Sequence, residues 1–163
     1  MDIVEGALMN ISEHFTLKEF INSSKADELG IDNTPNAIQI SAIQELCDNI
    51  LEPIRFHFKR PIRILSGFRS VDLNKAVGGA ATSQHTLGEA ADIEINGIRN
   101  DAIWSFIVNT LNFDQCIAEK LMADNGAAGW IHISHKRSGA QRKEALSFLG
   151  NGKYVSGLHY MKG

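Results

Sequence analysis

Two histidines and an aspartate, His85, Asp92 and His132, are the residues of this sequence with the clearest capacity for chemistry. An imidazole, a carboxylate and a second imidazole form a donor set suited to catalytic zinc, which takes three protein ligands and keeps a fourth position for water. His85 lies in the polar, glycine-rich stretch from Gly78 to Gly88, a loop that must follow an unusual path. Asp92 belongs to Ala91-Asp-Ile-Glu-Ile95, where alternation with period two puts Asp92 and Glu94 on one strand face and Ile93 and Ile95 on the other. His132 belongs to Trp130-Ile-His-Ile-Ser134, and there Ile131 and Ile133 face away from His132 and Ser134. The isoleucines would anchor both strands in a core while the donors project into a cleft. Spacing alone leaves two readings open, a metal centre and a solvated strand face.

The elements that must position these donors can be read from pattern. Thr16-Leu-Lys-Glu19 has the spacing of a capping box ahead of a short helix through Phe20 and Ile21. Gly30 to Pro35 reads as a loop. From Asn36, Ile43, Leu46, Cys47, Ile50 and Ile54 recur at three and four, one face of a long amphipathic helix that Pro53 should bend or end. Pro61 to Leu65 reads as a strand, Ser66-Gly-Phe-Arg-Ser70 as a tight exit from it, and Val71 to Val77 as a helical turn or two. Asn100 is a plausible N-cap for a helix using Ile103, Phe106 and Ile107, and a strand is expected from Asp114 to Glu119. Helices mostly first and strands separated by irregular loops predict an α+β fold: a small, largely antiparallel sheet with N-terminal helices packed on it.

Composition narrows the class. With 163 residues, 44% of them hydrophobic and 21% charged, the chain suits one domain spanning 1–163, at about 150 residues per domain. The apolar fraction excludes a disordered tail, and a net charge of -3 argues against a basic nucleic-acid binder. Residues 1–34 carry seven acids against two lysines, whereas 135–163 carry six basic residues against Glu144 alone. That split could orient the protein on an anionic polymer, or simply describe two solvated surfaces. The first residues lack a basic n-region, and no apolar run approaches the roughly 18 residues of a membrane helix, so a cytoplasmic origin is expected. Cys47 and Cys116 read as buried thiols.

The run Ser66-Gly-Phe-Arg-Ser70, Leu73-Asn74, Val77-Gly-Gly79, Ser83-Gln-His85 through Asp92, and Trp130-Ile-His-Ile-Ser134 resembles the zinc D-Ala-D-Ala carboxypeptidase family of cell-wall metallopeptidases. His14 to Phe20, Gly30 to Asn33 and Leu51 to Arg55 also resemble members encoded by bacteriophages and prophages. The similarity runs from about His14 to Ser134, leaving 135–163 as a basic C-terminal segment. It implies one zinc per chain held by His85, Asp92 and His132, on the fold this family shares with the Hedgehog signalling domain. Arg69 matches the arginine that holds the substrate and its developing oxyanion, a role suited to a permanently charged, planar fork of donors. Ser83 matches a position that contacts substrate in some relatives, and could equally satisfy its own loop.

The general base departs from the family pattern. Many relatives carry Glu or Asp three residues before the last histidine ligand, where this sequence has Gly129. Glu119 is the best substitute. If 119 pairs with 130 in a hairpin, 117 pairs with 132, and Glu119 lies diagonal to His132 on the cleft side. Asp124 is the reserve candidate. His135, placed by alternation on the face opposite His132, reads as an exposed histidine, and His14, His57 and His159 as structural.

The activity implied is zinc-dependent hydrolysis of peptidoglycan stem peptides, as a carboxypeptidase or stem endopeptidase, by a phage-encoded enzyme that acts on the wall after release or as a virion component. The alternative is a zinc-bearing binding or structural module of the same fold, favoured by the glycine at 129. A monomer with no nucleic-acid or membrane partner is expected. Lys136, Arg137, Arg142 and Lys143 are expected to serve attachment to anionic wall polymer rather than hydrolysis.

Overall fold

The computed structural model describes residues 9–126, 128–150 and 152–161. The helices are α1 (Leu17–Ile21), α2 (Ser24–Leu29), α3 (Ala37–Leu46), α4 (Glu52–Phe58), α5 (Val71–Ala76) and α6 (Asn100–Thr110). The strands are β1 (Arg63–Ser66), β2 (Ala90–Glu94), β3 (Gln115–Glu119), β4 (Trp130–Ser134), β5 (Glu144–Phe148) and β6 (Tyr154–Ser156), in the spatial order β1-β2-β4-β3-β5-β6. The expected capping box is present at Thr16 and Glu19. None of the described helices is long and apolar enough to cross a membrane.

The α+β class holds, but the sheet is mixed. Four neighbouring pairs are antiparallel and β3 pairs with β5 in parallel. A parallel neighbour requires a crossover. It is made by the stretch after β4, which returns along β3 and is tied there by Lys143 N–H to the Phe113 carbonyl and Glu144 N–H to the Asp114 carbonyl. The segment past 134, a basic C-terminal segment outside the resemblance, therefore supplies two strands of the sheet.

One face of the sheet makes the core. Ala91, Ile93, Ile131, Ile133, Cys116 and Ala118 are buried there with Ile43, Leu46, Ile50, Ile54, Ile103 and Ile107 from the helices. Period-two burial on the strands meets a 3.6-residue stripe on the helices, so both local patterns point at the same interior. Cys47 and Cys116 are free and buried, as expected, and burial pushes both thiols well above the ordinary cysteine range.

Two helix expectations need correction. Pro53 does not end the long helix: α3 runs through a π-helical stretch, Cys47–Leu51, directly into α4, with Pro53 in the first turn of α4. The missing proline amide falls where the hydrogen bonding changes register, which is where a helix can most easily lose one. Asn100 is the first helical residue rather than the cap. Arg99 occupies the cap, and the Asn100 amide donates to the carbonyls of Ala128 and Gly129, tying α6 to the β3–β4 hairpin.

Candidate metal centre

The open face of the sheet carries the three expected donors. Asp92 and His132 are direct partners across β2 and β4, and His85 reaches them from a short 3-10 turn, Gln84–Leu87. That turn ends at Gly88, whose φ of 76° is the left-handed conformation expected of the glycine-rich stretch. A Cβ at Gly88 would also press on the Gln39 carbonyl of α3 at 2.5 Å, so the turn lies directly against that helix.

His85 is held from two sides. Its Nδ1 lies 2.7 Å from the Gly67 carbonyl oxygen, while its own carbonyl accepts the Arg69 N–H at 3.1 Å. Donation from Nδ1–H to Gly67 sets the tautomer and leaves the Nε2 lone pair for a ligand. Nε2 of His85 lies 3.4 Å from Asp92 Oδ1, and Nδ1 of His132 lies 3.0 Å from the same oxygen. Zinc bonds of 2.0–2.1 Å in tetrahedral array separate neighbouring donor atoms by about 3.3 Å, so this spacing fits the ion. The three donors lie within 4.8 Å of one another and form a group that could hold a metal ion.

The electrostatics favour the ligand forms. Burial opposes the charge of Asp92, but His85, His132 and their hydrogen bonds outweigh it and hold the carboxyl well below the usual carboxylate range. Burial pushes the His85 imidazole down, against the pull of Asp92, so it is neutral at neutral pH. A carboxylate and a neutral imidazole are the protonation states that metal binding requires.

Arg69 backs this group. Its Nη2 donates to Asp92 Oδ2 at 3.2 Å, its Nε to Ser66 Oγ at 3.0 Å and its Nη1 to Asn74 Oδ1 at 3.4 Å. With 17% of its side chain exposed, the guanidinium is fixed against a ligand carboxylate and is no free surface arginine closing a turn. Sequence reasoning missed Ser66 and Asn74 as its holders, although both lie within the stretch that carries the resemblance. Ser83 is half-buried at the start of the 3-10 turn and its carbonyl accepts both the Thr86 N–H and Thr86 Oγ1, so the backbone of this residue serves its own loop.

The hairpin register is the expected one. Glu119 pairs with Trp130 and Ile117 with His132, which puts Glu119 diagonal to His132 on the open face. Burial, with help from Asp92 and against His132 and Lys120, pushes its carboxyl up to about 7. Gly129 has a φ of 75°, and a Cβ there would run into the Glu119 carbonyl. The usual position of the base therefore has no room for a side chain, because the hairpin closes on it. Asp124 is exposed in the loop and does not join the metal group.

One expectation about the following segment fails. His135 is 9% exposed, not a surface residue. Alternation does put it opposite His132, but that is the covered face: its N–H extends the β2–β4 ladder to the Glu89 carbonyl, and its Nδ1 is buried without a hydrogen-bond partner. Lys136 and Arg142 are not free cations. Both reach Asp114, whose side chain is fully buried, at 3.4 and 2.6 Å. Gln84, the neighbour of His85, donates to the same carboxylate at 3.1 Å. The crossover is thus clamped to the loop that carries the first donor. Arg137 and Lys143 remain exposed.

A family model described as Peptidase M15 matches residues 13–134. No curated protein matches the chain. The matched span holds all three donors together with Arg69 and Glu119, and the chain belongs to the Peptidase M15 family of metallopeptidases.

Proposed function

We propose that the protein is a zinc-dependent hydrolase of peptidoglycan stem peptides, a D-Ala-D-Ala carboxypeptidase or stem endopeptidase of phage or prophage type. The observation that carries this reading is the convergence of His85 Nε2, Asp92 Oδ1 and His132 Nδ1 on one open sheet face that also bears Glu119. When bound, zinc supplies Lewis acidity at the scissile carbonyl and brings the pKa of a water toward neutrality.

The chain's own residues do the rest. His85, Asp92 and His132 hold the ion, with Gly67 and Arg69 fixing the orientation of two of them. Glu119 accepts a proton from the attacking water and returns it to the leaving amine, a general acid/base role that its place diagonal to His132 on the open face suits. Arg69 directs its remaining N–H groups at the substrate carboxylate or the oxyanion, and Ser83 borders the same loop. The lead-in motifs from His14 to Arg55 support a phage-type enzyme that meets the wall after release or as part of a virion.

A second reading, a zinc-bearing binding or virion module of the same fold, is favoured by the closed position at Gly129. Incubating purified peptidoglycan with the protein, with and without chelator, and identifying products by mass spectrometry separates the two. Chelator-sensitive release of D-Ala or of a shortened stem supports the peptidase. Absence of any zinc-dependent product leaves the binding module.

A further inference from the structure

Outside the metal group, the same sheet face carries an aromatic row that nothing above employs. Trp130 pairs with Glu119, Glu119 with Phe148 and Phe148 with Tyr154, so these four side chains lie side by side across β4, β3, β5 and β6. The Phe148 and Tyr154 rings touch, with centroids 4.7 Å apart and planes 38° apart. Lys120 lies over Trp130, which leaves Phe148 and Tyr154 as the open pair. Tyr154 is 54% exposed. Among the described residues, neither ring belongs to the hydrophobic core nor packs against it. Two aromatic side chains in contact on the sheet face that bears the metal group, one half-buried and one exposed and both outside the core, offer a binding surface.

The surface is continuous with the metal centre. One row back, His132 pairs with Ile117 and Ile117 with Leu146, an apolar floor between the donors and the aromatic pair. Phe148 pairs with Glu119 on one side and with Tyr154 on the other, so the Tyr154 ring stands two strands from Glu119 on the same face. Strands about 4.8 Å apart put β5 and β6 about 10 and 14 Å from β4, a reach of three to four extended residues. Arg69, the group that takes carboxylates, stands on the other side of the donors, toward β1. An occupant of this face is therefore charged at the Arg69 end and uncharged where it meets the rings.

We infer that Phe148 and Tyr154 form a platform for the sugar that bears the stem peptide, three to four residues from the scissile bond. The C–H face of a pyranose packs flat on an aromatic ring, and the phenol edge of Tyr154 reaches its hydroxyls. This rests on the peptidoglycan reading above. It also assigns a substrate-selecting role to residues 144–156, which lie outside the family match.

The test uses the metal-free protein and two probes, the disaccharide N-acetylglucosaminyl-N-acetylmuramic acid with its lactyl carboxyl amidated, as the stem peptide amidates it, and a sugar-free stem pentapeptide. In NMR titration the disaccharide should shift amides of β5 and β6, and Tyr154→Ala should weaken its binding about five- to tenfold while Tyr154→Phe keeps most of it. With the zinc-loaded enzyme, Tyr154→Ala should lower the ratio of KM for sugar-free to sugar-bearing peptide by a similar factor. Disaccharide binding elsewhere, no binding, or an unchanged KM ratio overturns the platform. Disaccharide binding at β5 and β6 in a protein that cuts neither peptide supports the platform and overturns the peptidase.

Discussion

The Nδ1 of His85 sits 2.7 Å from the carbonyl oxygen of Gly67, and only glycine can present that carbonyl. A Cβ at 67 would meet the Phe20 backbone at 2.6 and 2.7 Å, so the turn after β1 lies directly on α1. Gly67→Ala must push this turn outward and take the carbonyl away from the imidazole. The expected result is a fall in zinc affinity of about 10- to 100-fold. A loss of stability of about 1–3 kcal/mol should accompany it. Competitive zinc titration and urea unfolding measure the two effects. Unchanged affinity in a folded variant would show that the Gly67 contact does not orient the ligand.

Removal of a donor should act on metal and activity together. His85→Ala is expected to bind no zinc at stoichiometric concentration, and its activity should vanish with the ion. Elemental analysis of the purified variant reads this directly, because one zinc per chain in His85→Ala would mean that the ligand set is wrong.

Glu119 gives a prediction whose sign differs from that of most carboxylates. Its pKa is raised to about 7, so the fold favours the protonated form. Any stability it lends is complete below the ordinary glutamate range and is lost as pH rises toward 7. In the metal-free protein, Glu119→Gln should therefore gain in Tm relative to wild type between pH 5 and pH 8. Carbon-detected NMR should find the carboxyl titrating at about 7 without metal and lower with zinc. The same variant should lose about 10²- to 10⁴-fold in kcat while keeping its zinc. A Glu119→Gln enzyme with full activity would assign the proton transfer to another group.

Where sequence and structure agree, the reason is local periodicity. Asp92 and His132 could be placed on one face because each alternates with isoleucines that have a core to enter. The hairpin register, only a condition at the level of sequence, is the one that aligns the isoleucines of β4 with Cys116 and Ala118. The misses come from contacts without a local signature. Nothing in the spacing of Gln84, Asp114, Lys136 and Arg142 announces one cluster, and without it the parallel β3–β5 pairing has no visible anchor. His135 shows the limit of alternation, which assigns a face correctly without saying whether that face is covered.

The Asp114 cluster should behave as a buried carboxylate held by half-exposed cations. Burial opposes its charge, but the Arg142 guanidinium and backbone hold the carboxyl at about 2. The stability it contributes is present above the ordinary aspartate value and is lost as pH falls toward 2. Asp114→Ala removes the partner of Lys136 and Arg142 and should cost about 1–3 kcal/mol in urea unfolding at pH 7, since both cations can turn to solvent. It should also weaken zinc binding, since Gln84 beside His85 loses its anchor. Arg137 and Lys143, which are exposed, are the cations left for wall polymer. Their replacement should reduce salt-sensitive attachment without the stability loss.

Restoring the base at its usual position should fail. Gly129→Asp places a side chain at φ 75° and drives its Cβ toward the Glu119 carbonyl, in the loop that closes the hairpin. The left-handed backbone alone costs about 1–3 kcal/mol for a residue with a Cβ. The hairpin can open to make room, but opening it shifts the pairing of Glu119 with Trp130 and, one step on, that of Ile117 with His132. The new carboxylate would then arrive together with a displaced metal ligand. In a Glu119→Gln background, Gly129→Asp should therefore give no rescue of peptide hydrolysis, and it should lower both Tm and zinc affinity. Recovery of activity in that double variant would show that the hairpin is pliable enough to carry a base at 129, and would remove the steric argument for assigning the proton transfer to Glu119.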